Sequence, residues 1–419
     1  MRKYSLLLVF ALYLVLALLT LGGGLTSAQT EQEPLWSYGT GGYIHSVSIS
    51  SDGSYVAAGS WDGRLYFFSR VRDTPLWSYD VHRGVPEETA FWSVSTSSDG
   101  SYIAAGANVS VFRPELGLDI SGGVYLFSRA NNTPLWGYEI GAWFHESISI
   151  SADGSYIFAA RGDRVYIFSR NDNTPLWSYD TGGWVESVSI SSDGSYLVVG
   201  SDSVVYLFSR ADNTPLWIYT SGGSVTSVLI SSDGNYISVG CKSSVVCLFS
   251  RNDNTPLWSY DTGRHVESVS ISSDGNYVAT GVTGGRVYLF SRADNTPIWS
   301  YETDTVNSVS ISSNGSYIAA GNGDYRVYLF SRADNTPLWS YGTGGAVLSV
   351  SISSDGSYVA AGSSDNEIYL FKGAATPTQI TSPTQTTPTT TPTEPWLAVL
   401  ASLGIATAII VAVIVKMRR

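Results

Sequence analysis

A unit of about forty residues that returns eight times constrains this chain more than any other feature. Its marker, Pro-Leu-Trp or Pro-Ile-Trp, ends at Trp36, Trp77, Trp136, Trp177, Trp217, Trp258, Trp299 and Trp339, in steps of 41, 59, 41, 40, 41, 41 and 40 residues. In the copy spanning residues 174–213, four alternating segments are separated by turn residues. Strand a covers Val185–Ile190, b residues 196–200, c Val204–Ser209 and d residues 216–219. Ser192-Asp193-Gly194 supplies the a–b turn, Asn213 turns c into d, and Pro215 opens an edge strand where its missing N–H does no harm. Four short strands per period make each unit a propeller blade.

The phase of the array predicts how the ring closes. The first recognisable strand, residues 35–38, is a d strand with no a, b or c before it. The last unit runs a, b and c over residues 347–371 and has no d. The N-terminal strand therefore completes the last blade and covers the edges an open array would expose. The expectation is an all-β, eight-bladed β-propeller of four-stranded antiparallel blades over residues 31–372.

The stretch Leu207-Phe-Ser-Arg-Ala-Asp-Asn-Thr-Pro-Leu-Trp217 resembles the tryptophan-docking motif of quinoprotein propellers, and the Ser-Asp-Gly turns with the a-to-c rhythm look like WD40 repeats. Both likenesses imply a propeller, here in a surface-anchored prokaryotic setting. The quinoprotein likeness also implies a rival activity, a pyrroloquinoline-quinone-dependent oxidoreductase. The adjacent cysteine pair of such dehydrogenases has no match in Cys241 and Cys247.

The two ends speak to location. Arg2 and Lys3, the apolar residues 6–21 and the small residues 26–28 form a secretory signal, residues 1–28, with cleavage favoured over an uncleaved anchor. Residues 396–415 are an uncharged run long enough to span a bilayer as a helix, and Lys416, Arg418 and Arg419 in the tail 416–419 place the C-terminus in the cytoplasm. Residues 373–395 are a Thr/Pro-rich stalk. The expected protein is a single-pass membrane protein with its propeller outside the cytoplasm. Five of its 23 basic residues lie in the two ends, leaving 18 bases against 35 acids between them, a net −17. That balance excludes a nucleic-acid partner.

Comparing the copies sorts the faces. The a–b and c–d turns, on one face, hardly vary. The d–a and b–c loops, on the other, diverge, and the one large insertion enlarges residues 81–92 and 107–123 there. Binding residues concentrate on variable loops held by rigid scaffolds. Tyr43, His45, Trp61, Phe91, Trp92, Trp143, His145, Trp184 and His265 are therefore candidate ligand-binding residues, for a protein or glycan of the cell envelope. Unconstrained drift is the plainer reading.

The residues preceding the first Ser of strand a should ring the channel mouth. His45, Glu146, Glu186 and Glu267 among them could hold Ca²⁺, although solvated strand ends explain them more simply. No other cofactor is expected. Cys241 and Cys247 flank one b–c turn, and a disulfide depends on whether their register is opposite or diagonal. Asn108, Asn131 and Asn314 begin N-glycosylation sequons. Arg161-Gly162-Asp163 spells an adhesion tripeptide, best read as coincidence. Neither a Gly-x-Ser-x-Gly elbow nor a His-Glu-x-x-His pair is present. A non-enzymatic scaffold is the leading expectation.

Overall fold

The computed structural model describes residues 31–81, 89–113, 117–140 and 147–374. All belong to the first of two units into which the chain divides, Met1–Thr376. The signal segment, the membrane run, the basic tail and the stalk beyond Ala374 lie outside the described residues. Among those residues no helix is long and apolar enough to cross a membrane.

Eight four-stranded sheets form, each ordered a-b-c-d. Blade 1 comprises Ile44–Ile49, Tyr55–Ser60, Arg64–Ser69 and Trp77–Asp80. Blades 2 to 7 follow in chain order. Blade 8 takes Val347–Ile352, Tyr358–Ser363 and Glu367–Lys372, and its outer strand is Trp36–Gly39, with Trp36 opposite Leu370 and Tyr38 opposite Ile368. The expected closure is what forms. In blade 2, strands b and c run 12 residues (Tyr102–Arg113 and Gly117–Ser128) instead of 6, so the insertion extends the hairpin on the diverged face by about 20 Å.

Strand a is an inner edge, so its outward N–H groups have no partner strand. Ser residues of the preceding blade take them. The amides of Val94 and Thr96 donate to Ser46 and Ser48, those of Val228 and Ile230 to Ser187 and Ser189, and those of Val47 and Ile49 to Ser349 and Ser351 across the closure, at 3.1–3.2 Å. This explains the alternation Ser-Val-Ser-Ile: the aliphatic residues fill the space between blades and the hydroxyls stitch the inner seam. Each such bond contributes about 1 kcal/mol.

On the uniform face the a–b turns are linked by backbone bonds. They run from Ser51 through Ser98, Ala152 and Ser192 to Ser232, and from Ser273 through Ser313 and Ser354 back to Ser51. Each turn is built alike. Asp193 accepts from the Ser191 hydroxyl (2.7 Å) and the Ser195 amide (2.9 Å). Burial raises its pKa, but these donors outweigh burial and hold the carboxyl below its usual range. Gly194 has φ +69°, and a Cβ there would sit 2.7 Å from the Tyr156 ring of the preceding blade.

The same tyrosine carries the Arg210 guanidinium 3.9 Å from its ring centroid, and the Arg210 carbonyl accepts the Trp177 indole N–H at 2.8 Å. Gly, Tyr, Arg and Trp thus lock two blades together. Seven interfaces carry this lock. Between blades 7 and 8, Lys372-Gly373 replaces Ser-Arg; among the described residues no guanidinium covers Tyr317, and the buried Trp339 N–H has no acceptor.

The outer edges are guarded in kind. Asn213 Nδ2 donates to the Ser178 carbonyl of the preceding blade, and Asn254 to that of Ile218. Blade 7 has no covalent successor turn, and the backbone N–H of Gln32 takes the equivalent Ser340 carbonyl at 3.0 Å. Capped edges resist pairing with foreign strands.

Candidate functional site

The diverged face begins where strand a breaks register. A β-bulge lies between Ile44 and Ser46, and the same irregularity recurs at Phe91/Ser93, Val185/Ser187, Val225/Ser227, Val266/Ser268, Val306/Ser308 and Val347/Ser349. The bulged residue is the one expected at the channel mouth. A bulge re-aims a side chain, and here it aims toward the next blade. Thr226 Oγ1 donates to the Val266 carbonyl at 2.6 Å, and Asn307 Nδ2 to that of Val347 at 2.9 Å. Glu186 approaches Lys242 at 4.0 Å.

Two of the four residues expected to hold a cation make contacts between blades instead, His45 with Trp92 and Glu186 with Lys242. His45 is packed among aromatic rings, Glu186 faces a lysine, and Glu267 belongs to blade 6. Glu146 lies outside the described residues. Among the described residues no three His, Cys, Asp or Glu side chains gather as a metal-binding group.

Aromatic residues do gather. His45 lies 4.2 Å from Trp92 and 5.1 Å from Trp61 between ring centroids; Trp61 is 5.8 Å from Trp92, and Tyr43 meets Trp61 edge-on at 5.8 Å. Loop d–a of blade 1 supplies Tyr43, its b–c turn Trp61, and the bulges of blades 1 and 2 supply His45 and Trp92. Asp62 braces the platform, accepting from the Gly41 amide, the Arg64 amide and the Tyr66 hydroxyl. Tyr43 and Trp61 remain 46% and 42% exposed. Among the described residues the large aromatics left exposed are Tyr43, Trp61, Trp184 and Tyr325, and all four occupy the diverged face.

Phe91 was expected with them and is instead fully buried in the core between blades 1 and 2. It takes the position of Ile44 and Val185, immediately before the bulge, where the side chain turns inward. Trp184 is half exposed in its d–a loop and His265 is exposed in another, both apart from the blade 1 platform. Trp143 and His145 lie outside the described residues.

Sequence reasoning missed Tyr325. It ends the b–c turn of blade 7 at φ +67°, where sister turns place Gly63 (φ 75°), Ser244 (φ 70°) and Asn366 (φ 71°). A bulky residue in left-handed backbone costs about 1–3 kcal/mol, yet this one is 53% exposed. Aligning the eight turns would have exposed it as a tyrosine at a glycine position.

Three further points from the sequence are decided by register and burial. Cys241 and Cys247 are free, buried thiols, and no disulfide joins them. Cys247 stands opposite Val239, which makes the pair diagonal, the arrangement harder to bridge. Burial raises both thiols, and the neighbouring Cys241 helps push Cys247 to about 12. Asn108 is no open glycosylation site: it lies in strand b of blade 2, half-buried, and its Oδ1 accepts from Arg161 at 3.1 Å. Arg161 itself is 3% exposed, so its Arg-Gly-Asp sequence cannot be displayed. Asn131 and Asn314 are exposed, both on the uniform face.

Comparisons with known proteins agree with this geometry. Residues 120–249 and 242–390 match the family described as outer membrane protein assembly factor BamB, and residues 32–69 match the WD domain, G-beta repeat. No curated protein matches the chain. Among solved structures, the C-terminal WD40 domain of Sif2 superposes with a TM-score of 0.69 at 16% identity, covering 84% of this chain and 100% of that one. A likeness at that identity is one of fold.

Proposed function

Since this chain belongs to the repeat-propeller family described as outer membrane protein assembly factor BamB, we propose that it is a non-enzymatic scaffold that captures a protein partner on its diverged face. The observation that carries the reading is the confinement, among the described residues, of exposed large aromatics to that face, with four rings clustered over blades 1 and 2. Trp and Tyr supply large contact area at little entropy cost and dominate binding hot spots. The family description names an assembly factor, a role of holding rather than of chemistry.

The setting we propose is the outer side of a membrane, with residues 396–415 as anchor and 373–395 as stalk. Ala374 donates its amide to Gly356 in an a–b turn, so the chain leaves the ring on the uniform face. Both exposed sequons sit on the uniform face, so glycans there would leave the binding face clear.

The test is capture of envelope proteins by the full-length protein and by Tyr43→Ala/Trp61→Ala. The double variant should lose the partner that wild type retains, while Asp193→Asn on the uniform face keeps it. Equal capture by all three sinks the proposal. Adding pyrroloquinoline quinone with Ca²⁺ should give no dye reduction; turnover would restore the oxidoreductase reading.

A further inference from the structure

We propose that the ring flexes at one joint, the inner interface between blades 5 and 6, at its uniform-face end. Three independent features coincide there. First, Leu229 occupies the second serine position of strand a in blade 5, so the Ile271 amide of blade 6 lacks the hydroxyl acceptor that the preceding blade offers Ile230, Ile311 and Ile352. Second, the circle of backbone bonds between a–b turns is interrupted only between Ser232 and Ser273, whose hydroxyls meet at 3.0 Å instead. Third, Ile271 is partly exposed, whereas Ile230, Ile311 and Ile352 are buried.

Elsewhere the same interface is complete. Thr226 and Ser227 bond to Val266 and Val269 toward the diverged face. At the periphery the Trp258 N–H reaches the Arg292 carbonyl, and Arg292 covers Tyr236. An interface fastened at its rim and its diverged end, and loose at the inner uniform end, opens as a hinge. Opening widens the channel toward the uniform face while leaving the binding platform in place.

Hydrogen exchange read by mass spectrometry on the full-length protein tests it. The amide to follow is Val269, which keeps its own bond to Ser227 Oγ. It should exchange about fivefold faster than the equally bonded amides of Val309 and Val350, because a missing neighbouring bond of about 1 kcal/mol lowers the cost of opening. Leu229→Ser should slow Val269 toward them. Ser310→Leu should loosen the joint of blades 7 and 8 and speed exchange at Val350. Equal protection at all three sites in wild type, or a Val269 rate unmoved by Leu229→Ser, overturns the proposal.

Discussion

The two faces of this ring are cut from the same eight repeats, yet one is almost invariant and the other is not. On the uniform face every residue of a turn has a second duty: Gly194 makes room for Tyr156, Asp193 holds two donors, and Arg210 serves both a ring and an indole. A change at any one unsettles two blades. On the diverged face the loops are fixed at their feet by the bulge and by backbone bonds, and some of their tips are open. Gly182 lies at φ +73° with nothing within 4 Å of a built Cβ. Uniformity therefore marks where structure is spent, and divergence marks where side chains are available for a partner.

The largest effect should come from testing that contrast with one substitution on each face. Gly356→Ala meets both a positive φ (+77°) and the Tyr317 ring, which the added methyl would overlap. It should cost about 3–4 kcal/mol, the sum of left-handed strain and overpacking. Gly182→Ala meets the strain alone and should cost about 1 kcal/mol. Urea denaturation of both variants measures the gap; equal costs would break the comparison.

A smaller effect probes the place where uniformity lapses. Trp177→Phe loses an indole bond to the Arg210 carbonyl, whereas the Trp339 N–H has no acceptor to lose. Trp177→Phe should therefore lose about 1 kcal/mol of hydrogen bonding that Trp339→Phe does not. Thermal unfolding midpoints should separate accordingly.

Smaller again, and opposite in sign, is Tyr325→Asn. Asn366 already holds the same backbone in blade 8 (φ 71°). Asparagine should relieve about 0.5–1 kcal/mol of strain while weakening partner capture. A variant that gains stability with capture intact would remove Tyr325 from the binding face.

The ring, its blade count and its closure were legible because period, turn chemistry and phase are linear properties of a chain. The division into a uniform and a diverged face was legible too, since eight copies supply their own comparison. What escaped were consequences of the bulge. Phe91 and Trp92 are neighbours in sequence, but the bulge sends one into the core and the other to the surface. The same geometry set His45 against Trp92 and Glu186 near Lys242. Register decided the cysteines: their separation was readable, while the pairing of Cys247 with Val239 required coordinates.

The faintest prediction concerns protons, and it also sets the faces against each other. On the uniform face Asp52, Asp99, Asp153, Asp193, Asp233, Asp274 and Asp355 all have carboxyls held below the usual value of 3.8, their hydrogen-bond donors outweighing burial. Their stabilisation is present above the unfolded value and disappears as pH falls through the folded one. Asn314 fills the same turn without a charge and keeps the bonds from Ser312 and Ser316. Asp193→Asn should therefore fold, and its deficit against wild type should shrink as pH drops below about 4.

Glu367, beside the b–c turn of blade 8 on the diverged face, is shifted the other way. Burial, and then the Asp365 carboxylate, push it above 4.5 against a hydrogen bond from Ser37. Here the folded state holds its proton more tightly, so stability falls as pH rises through 4.5 and the folded value. Glu367→Gln should match wild type at the acid end and exceed it at neutral pH. Melting curves at several pH values would show the two variants diverging from wild type in opposite directions. A common direction would mean that net charge, and not the local chemistry of each face, governs the response.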